Sequence, residues 1–152
     1  MHTRLGLYTA YSLQWGPVGI ERLFARLKKE GVSRVAITDL DNLYGYPACR
    51  EEAQSVGIDL ICAAALTEQG EVIHAFVQDQ TGYERLCLLL SLREQDSSFS
   101  YLNALKENSG NLVLATTHLP FLQALSHHSG VYAEVTPTCL KAVRSGLPLL
   151  AV

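Results

Sequence analysis

Val35-Ala36-Ile37-Thr38-Asp39-Leu40-Asp41-Asn42 is the stretch that decides how the chain reads. A short run rich in β-branched side chains, Val35 to Thr38, predicts a buried strand. Asp39 to Asn42 predict the polar turn that follows it. In folds that repeat strand and helix, the loops after the strands converge on one mouth, and chemistry is placed there. Outward from this stretch the same pattern recurs as apolar strand, polar tip and amphipathic helix.

Upstream, Arg4 to Thr9 alternates loosely and predicts a first strand, with a loop over Ala10 to Gly16. Pro17 suits the first turn of a helix, Ile20, Leu23, Phe24 and Leu27 share one face, and Gly31 stops it after Lys28 and Lys29. Downstream, a helix runs from about Tyr44 to Ser55, with Pro47 in its first turn and Gly57 at its end. Ile58 to Leu66 predicts a third strand with both faces covered, turning at Glu68-Gln69-Gly70 into a hairpin partner, Glu71 to Val77. Thr81 with Glu84 has the spacing of a capping box. It opens a helix carrying Leu86, Leu89, Leu90 and Leu92 that frays at Gln95 to Ser98. Ser100 caps a short helix to Glu107. Leu112 to Ala115, Val131 to Val135 and Leu147 to Val152 predict strands, separated by helices at Pro120 to Leu125 and Thr138 to Arg144. Strands alternating with helices of this size imply an α/β fold with a mostly parallel sheet, open or barrel-like.

A chain of 152 residues is one domain by its length. The net charge is −3, from 12 basic and 15 acidic residues, and the basic residues are scattered, which is not the footprint of a direct DNA-binding surface. Cys49, Cys62, Cys87 and Cys139 are too far apart for a CxxC zinc or redox motif and read as reduced thiols. No signal peptide or membrane-length apolar run is present, so a cytoplasmic protein is expected. The last predicted strand reaches the final residue, Val152. Domains rarely end inside a core element, so the chain reads as part of a longer polypeptide.

Three stretches carry a family resemblance. They are Leu5-Gly6-Leu7-Tyr8-Thr9-Ala10-Tyr11-Ser12 with the helix that follows, Ala36 to Gly45, and Gly82-Tyr83-Glu84-Arg85-Leu86-Cys87-Leu88-Leu89-Leu90-Ser91. Together, in order and spacing, they resemble the N-terminal PHP (polymerase and histidinol phosphatase) domain of bacterial DNA polymerase III alpha subunits, the C-family polymerases. The resemblance covers essentially the whole chain. It implies a distorted, TIM-like barrel of seven strands and helices, here incomplete at the C-terminus, with divalent metal (zinc, manganese or magnesium) at the strand tips when ligands are present.

Most of the ligand positions that the resemblance implies are replaced in this chain. The family's His-x-His falls on Gly6 and Tyr8, and an aspartate of the following loop falls on Trp15. The Thr-Asp-His motif reads Thr38-Asp39-Leu40, so its carboxylate stays and its histidine is gone. A glutamate after the third strand falls near Ala64, a histidine opening the fourth near Val72, and a cysteine after the fifth on His118. Asp39, His118 and Glu134 remain as vestigial mouth candidates. Neither a metal nor a catalytic residue is expected, and Leu40, Ala64 and Trp15 are expected to fill the former cavity. Each remaining residue also has a plain structural reading. Asp39 would cap a helix or bond the Asp41-Asn42 turn, His74 would be a satisfied strand histidine, and His127-His128 would sit at a helix C-terminus.

The resemblance implies a structural module of a replicative or error-prone polymerase, inactive by itself. Its partners would be the rest of the polymerase chain and other replication proteins, with a homodimer possible at an open barrel edge. Two alternatives stand beside it. One is an active metal-dependent phosphoesterase using His74, His118, His127, His128, Asp39 and Glu134. The other is a standalone interaction protein on the same scaffold.

Overall fold

The structure, a computed structural model, describes residues 2–12 and 19–134, and the backbone of 149–150. Trp15, Pro17, Cys139 and the helix expected over Thr138 to Arg144 lie outside the described residues. Two compact units make up the chain, Met1–Ala65 and Leu66–Val152.

The first unit is built on three parallel strands, β1 (Thr3–Leu7), β2 (Arg34–Ile37) and β3 (Asp59–Glu68), whose last residues belong to the second unit. The connecting helices are α1 (Ile20–Lys29) and α2 (Tyr46–Val56). The apolar face that periodicity assigns to α1 is the one buried. Phe24 and Leu27 pack with Val32, Val35, Ile37, Cys49, Ala53 and Ile58, and Ile20 and Leu23 lie against this cluster. Pro47 occupies the first turn of α2 and Gly57 ends it in the left-handed conformation (φ 76°).

The sequence predicts a first strand over Arg4 to Thr9, and here the backbone differs. Gly6 has φ 76°, and the register with β2 slips between Arg4 and Leu7. A side chain of ligand type at position 6 would be strained in this conformation. β1 ends at Leu7, so Tyr8 falls just beyond it.

In the second unit the end of β3 turns through Gln69-Gly70 into β4 (Glu71–Val77), as the sequence predicts. β4 pairs antiparallel with β5 (Leu112–Thr116), and β5, β6 (Val131–Glu134) and β7 (Leu149–Leu150) run parallel. In both units the strands follow one another in chain order. Helices α3 (Gln80–Gln95), α4 (Tyr101–Glu107) and α5 (Leu119–Leu125) complete this unit. Its buried side chains include Ile73, Phe76, Leu86, Leu89, Tyr101, Leu105, Leu114, Phe121, Leu122 and Leu125.

The capping box at Thr81 is not formed. The helix starts two residues earlier, and Asp79 is its cap, accepting from the Gly82 amide at 2.9 Å. Aspartate is the stronger N-cap, and Asp79 also accepts from Asn111 Nδ2 at 2.6 Å. Ser100 does cap α4 as expected, accepting from the Asn103 amide at 3.2 Å. Gly82 has a packing reason to be glycine: a Cβ there would lie 2.1 Å from the Asn111 carbonyl oxygen.

Candidate functional site

At the tip of β2, Asp39 is almost fully buried, at 3% exposure. Its carboxylate neither caps a helix nor bonds the Asp41-Asn42 turn, as the sequence reading has it. It reaches across to the segment after β1. Oδ1 accepts from the Thr9 amide at 2.7 Å and from Ser12 Oγ at 2.6 Å. Oδ2 accepts from Thr9 Oγ1 at 2.6 Å. Ser12 Oγ accepts in turn from the Leu40 amide at 3.0 Å, and Thr9 Oγ1 from the Tyr11 amide at 3.2 Å. The result is a small hydroxyl–carboxylate network that closes the tip of β2 onto the loop after β1.

A buried carboxylate without a cation is costly unless donors surround it. Here three short hydrogen bonds serve it, and the start of α2 lies against it. A Cβ on Gly45, the N-cap of that helix, would sit 3.1 Å from Oδ2. The positive end of the helix dipole faces the anion from that side. The same charge acts on Cys49 in α2. Burial first, and Asp39 second, push the Cys49 thiol up to about 12.

Leu40 and Ala64, two positions that the resemblance singles out, lie near the tip. Leu40 is half-buried and bridges Ala65 in parallel register, Ala64 is fully buried, and the Asp41 amide donates to the Ala65 carbonyl at 2.9 Å. Ala64 is thus part of the buried core, and Leu40 lies at its edge.

In the second unit β4 runs antiparallel to β5, so the start of β4 lies beside the end of β5. Val72 there accepts from Thr116 Oγ1 at 2.6 Å through its carbonyl, so its backbone, not its side chain, is the polar group used. His74 and Glu134 are brought together, although sixty positions separate them. They flank β5, whose small Ala115 pairs in register with His74. His74 Nδ1 bonds Glu134 Oε1, with both side chains buried. Glu134 is therefore not an open mouth carboxylate, as the sequence reading has it, but the partner of the strand histidine.

His118 sits at the N-cap of α5, its ring edge-on to Phe121 at 4.3 Å between centroids. Its buried Nδ1 has no hydrogen-bond partner. His127 and His128 follow the end of α5, as the sequence suggests, but they serve a different helix: each Nε2 approaches the carbonyl oxygen of Lys106 in α4, at 3.3 and 3.0 Å. Among the described residues, no three His, Cys, Asp or Glu side chains gather closely enough to hold a metal ion.

The donors among the described residues do not fit a resident metal cluster. Such a cluster needs several histidine and carboxylate donors with open lone pairs. Asp39 has three of its acceptor positions filled by this chain, and one carboxylate oxygen of Glu134 is taken by His74 Nδ1. No hydrolytic step through a metal is derived for these residues.

An α/β unit pattern with a mostly parallel strand arrangement, and polar residues held at strand tips, defines the class of protein. The PHP domain family model matches residues 5–144, and the chain belongs to that family. The chain is similar to an error-prone DNA polymerase of Pseudomonas syringae pv. syringae, 28% identical over 108 residues, covering 70% of this chain and 10% of that one. A second error-prone DNA polymerase, from Pseudomonas savastanoi pv. phaseolicola, is 29% identical over 108 residues with the same coverage. The chain thus spans about a tenth of the length of these curated relatives. Among solved structures, a two-domain protein of Bacteroides vulgatus, described as containing a predicted PHP-like metal-dependent phosphoesterase, matches with a TM-score of 0.65. It is 16% identical, covering 88% of this chain and 43% of that one, and supports the fold alone. No helix among the described residues is long and apolar enough to cross a membrane.

Proposed function

We propose that this chain is the PHP module of a DNA polymerase III alpha-like polymerase of the error-prone kind, and that its role there is structural. The complete module would be a distorted, TIM-like barrel of seven strands and helices. It would act in the cytoplasm as a rigid body against which the rest of the polymerase and other replication proteins pack, without binding DNA itself. The polymerase relatives, and the small share of their length that this chain spans, support the assignment to such a parent.

The observation that carries the structural role is the state of Asp39. The carboxylate that the resemblance keeps from a metal motif is fully employed in holding Thr9 and Ser12. Hydroxyl and amide donors do there what a cation does in a metal site, and they also fix the loop. The outer face of α3, where Leu88 is 57% exposed and Leu92 37%, is the surface this reading gives to the rest of the polymerase chain.

One observation favours a phosphoesterase as the second reading, the buried and unpartnered Nδ1 of His118. Phosphoesterase assays on a chromogenic phosphate ester and on a short single-stranded oligonucleotide, each with manganese, zinc and magnesium, separate the two. The structural role expects no turnover above buffer with any of them. Metal-dependent turnover abolished by His118→Ala would overturn it.

A further inference from the structure

The pair His127-His128 is left unused by the role just proposed, and its geometry is specific. The two rings lie 4.0 Å apart between centroids, tilted by 41°. Both Nε2 atoms aim at one acceptor, the Lys106 carbonyl oxygen, at 3.3 and 3.0 Å. That carbonyl lies in the last turn of α4, where helix carbonyls lack an intrahelical donor. His127 is exposed and His128 half-buried, so solvent reaches the cluster.

Two ligands that share an ion at about 2.1 Å each are about 3.0 Å apart at a right angle and about 3.4 Å apart at the tetrahedral angle. The two nitrogen–oxygen separations here, 3.0 and 3.3 Å, fall in that window. Each imidazole nitrogen therefore already stands at an edge length of a coordination polyhedron from the shared carbonyl oxygen, on the side where His127 is exposed to water. Imidazole nitrogen selects borderline-soft first-row ions over magnesium or calcium, and copper and nickel over manganese.

We propose that His127, His128 and the Lys106 carbonyl form a surface site for a first-row divalent cation that prefers imidazole, such as zinc, nickel or copper. None of the three falls at a ligand position implied by the family resemblance, so the site stands apart from the replaced cluster. In the ion-free state each Nε2–H donates to the carbonyl. In the bound state each Nε2 gives its lone pair to the ion, and the proton of each neutral ring resides on Nδ1. A ring that starts protonated releases one proton on binding, so acid weakens the site.

The test is isothermal titration of the chain with zinc chloride and with nickel chloride, and with magnesium chloride as control. Saturable one-to-one binding in the micromolar range is expected for zinc and nickel, and none for magnesium. His127→Gln and His128→Gln keep a side-chain N–H for Lys106 but remove the imidazole. Each should weaken binding at least about tenfold, about 1.4 kcal/mol, at an unchanged Tm. His74→Gln and His118→Gln should leave it unchanged. Absence of saturable zinc or nickel binding, or binding that survives both the His127 and His128 changes, would overturn the proposal.

Discussion

Replacing Thr9 by valine isolates the hydroxyl bond to the buried Asp39 carboxylate at the tip of β2. Valine keeps the shape of threonine at a position that is fully buried, so packing is preserved and only the hydroxyl is lost. Two hydrogen bonds go with it. One is the 2.6 Å donation to Asp39 Oδ2, and the other is the 3.2 Å acceptance from the Tyr11 amide. A hydrogen bond to a charged group contributes about 1.5–3 kcal/mol, and here its loss leaves a buried carboxylate oxygen short of a donor. A destabilisation of about 2–3 kcal/mol is expected. For a chain of this length that corresponds to a Tm lower by about 4–12 °C. The assay is thermal and urea denaturation followed by circular dichroism, run as a double-mutant cycle with Asp39→Ala. Once the carboxylate is gone the Thr9 hydroxyl has no charged partner. Thr9→Val should then cost much less, giving a coupling of about 1–2 kcal/mol. Saturating manganese or zinc should shift the Tm of Thr9→Val no more than it shifts that of the unchanged chain, since binding elsewhere on the folded chain raises both alike. A coupling under about 0.5 kcal/mol, within the error of simple additivity, would refute the reasoning.

Three further outcomes follow from contacts described above. Gly82→Ala should destabilise, because its Cβ would meet the Asn111 carbonyl oxygen at 2.1 Å. Helix propensity alone predicts a gain of about 1 kcal/mol, so the sign of the urea midpoint shift decides between the two. Glu134→Ala should lower stability by about 1–3 kcal/mol by leaving His74 without its buried partner. Glu134→Gln, which can still bond the ring, should lose less, and equal losses in urea titrations would count against the pairing. Cys49, with its thiol pushed up to about 12 and buried, should resist iodoacetamide at pH 8 in the native chain. Half-buried Cys87 should react before Cys49, as read by peptide mass spectrometry. The sign is that of a thiol kept neutral by burial: the reactive thiolate is depleted at every pH below the raised value.

Order along the chain was legible in the sequence because it is written locally. The periodic face of α1, the Gly57 stop, the Ser100 cap and the span of β4 all follow from neighbours within a few positions. The cap at Asp79 was missed for a local reason. The capping-box spacing at Thr81 and Glu84 competed with a better acceptor two residues earlier, and the second bond to Asn111 that favours Asp79 is not local. The site was less legible. The resemblance drew attention to Asp39, but the partners that occupy Asp39 and His74 could not be read from it. Those pairs are 30 and 60 positions apart, and each partner taken alone is an ordinary loop hydroxyl or strand-end carboxylate. Gly6 gave the weakest warning. A glycine in a motif suggests only a lost side chain, whereas here the backbone itself has left the strand conformation.

Asp79 and Asn111 stand at the two ends of the excursion that contains α3 and α4. The Asp79 side chain holds Asn111 Nδ2, and the Gln78 amide donates to the Asn111 carbonyl at 3.1 Å. The excursion is thus tied off at its base, independently of what happens at its far tip, the exposed Gln95 to Ser98. A loop whose ends are already fixed can be lengthened cheaply, since doubling a flexible loop adds only about 0.6 kcal/mol of closure entropy. That tip is accordingly where a reporter domain or an affinity peptide can be spliced into the chain with β4 and β5 left in register.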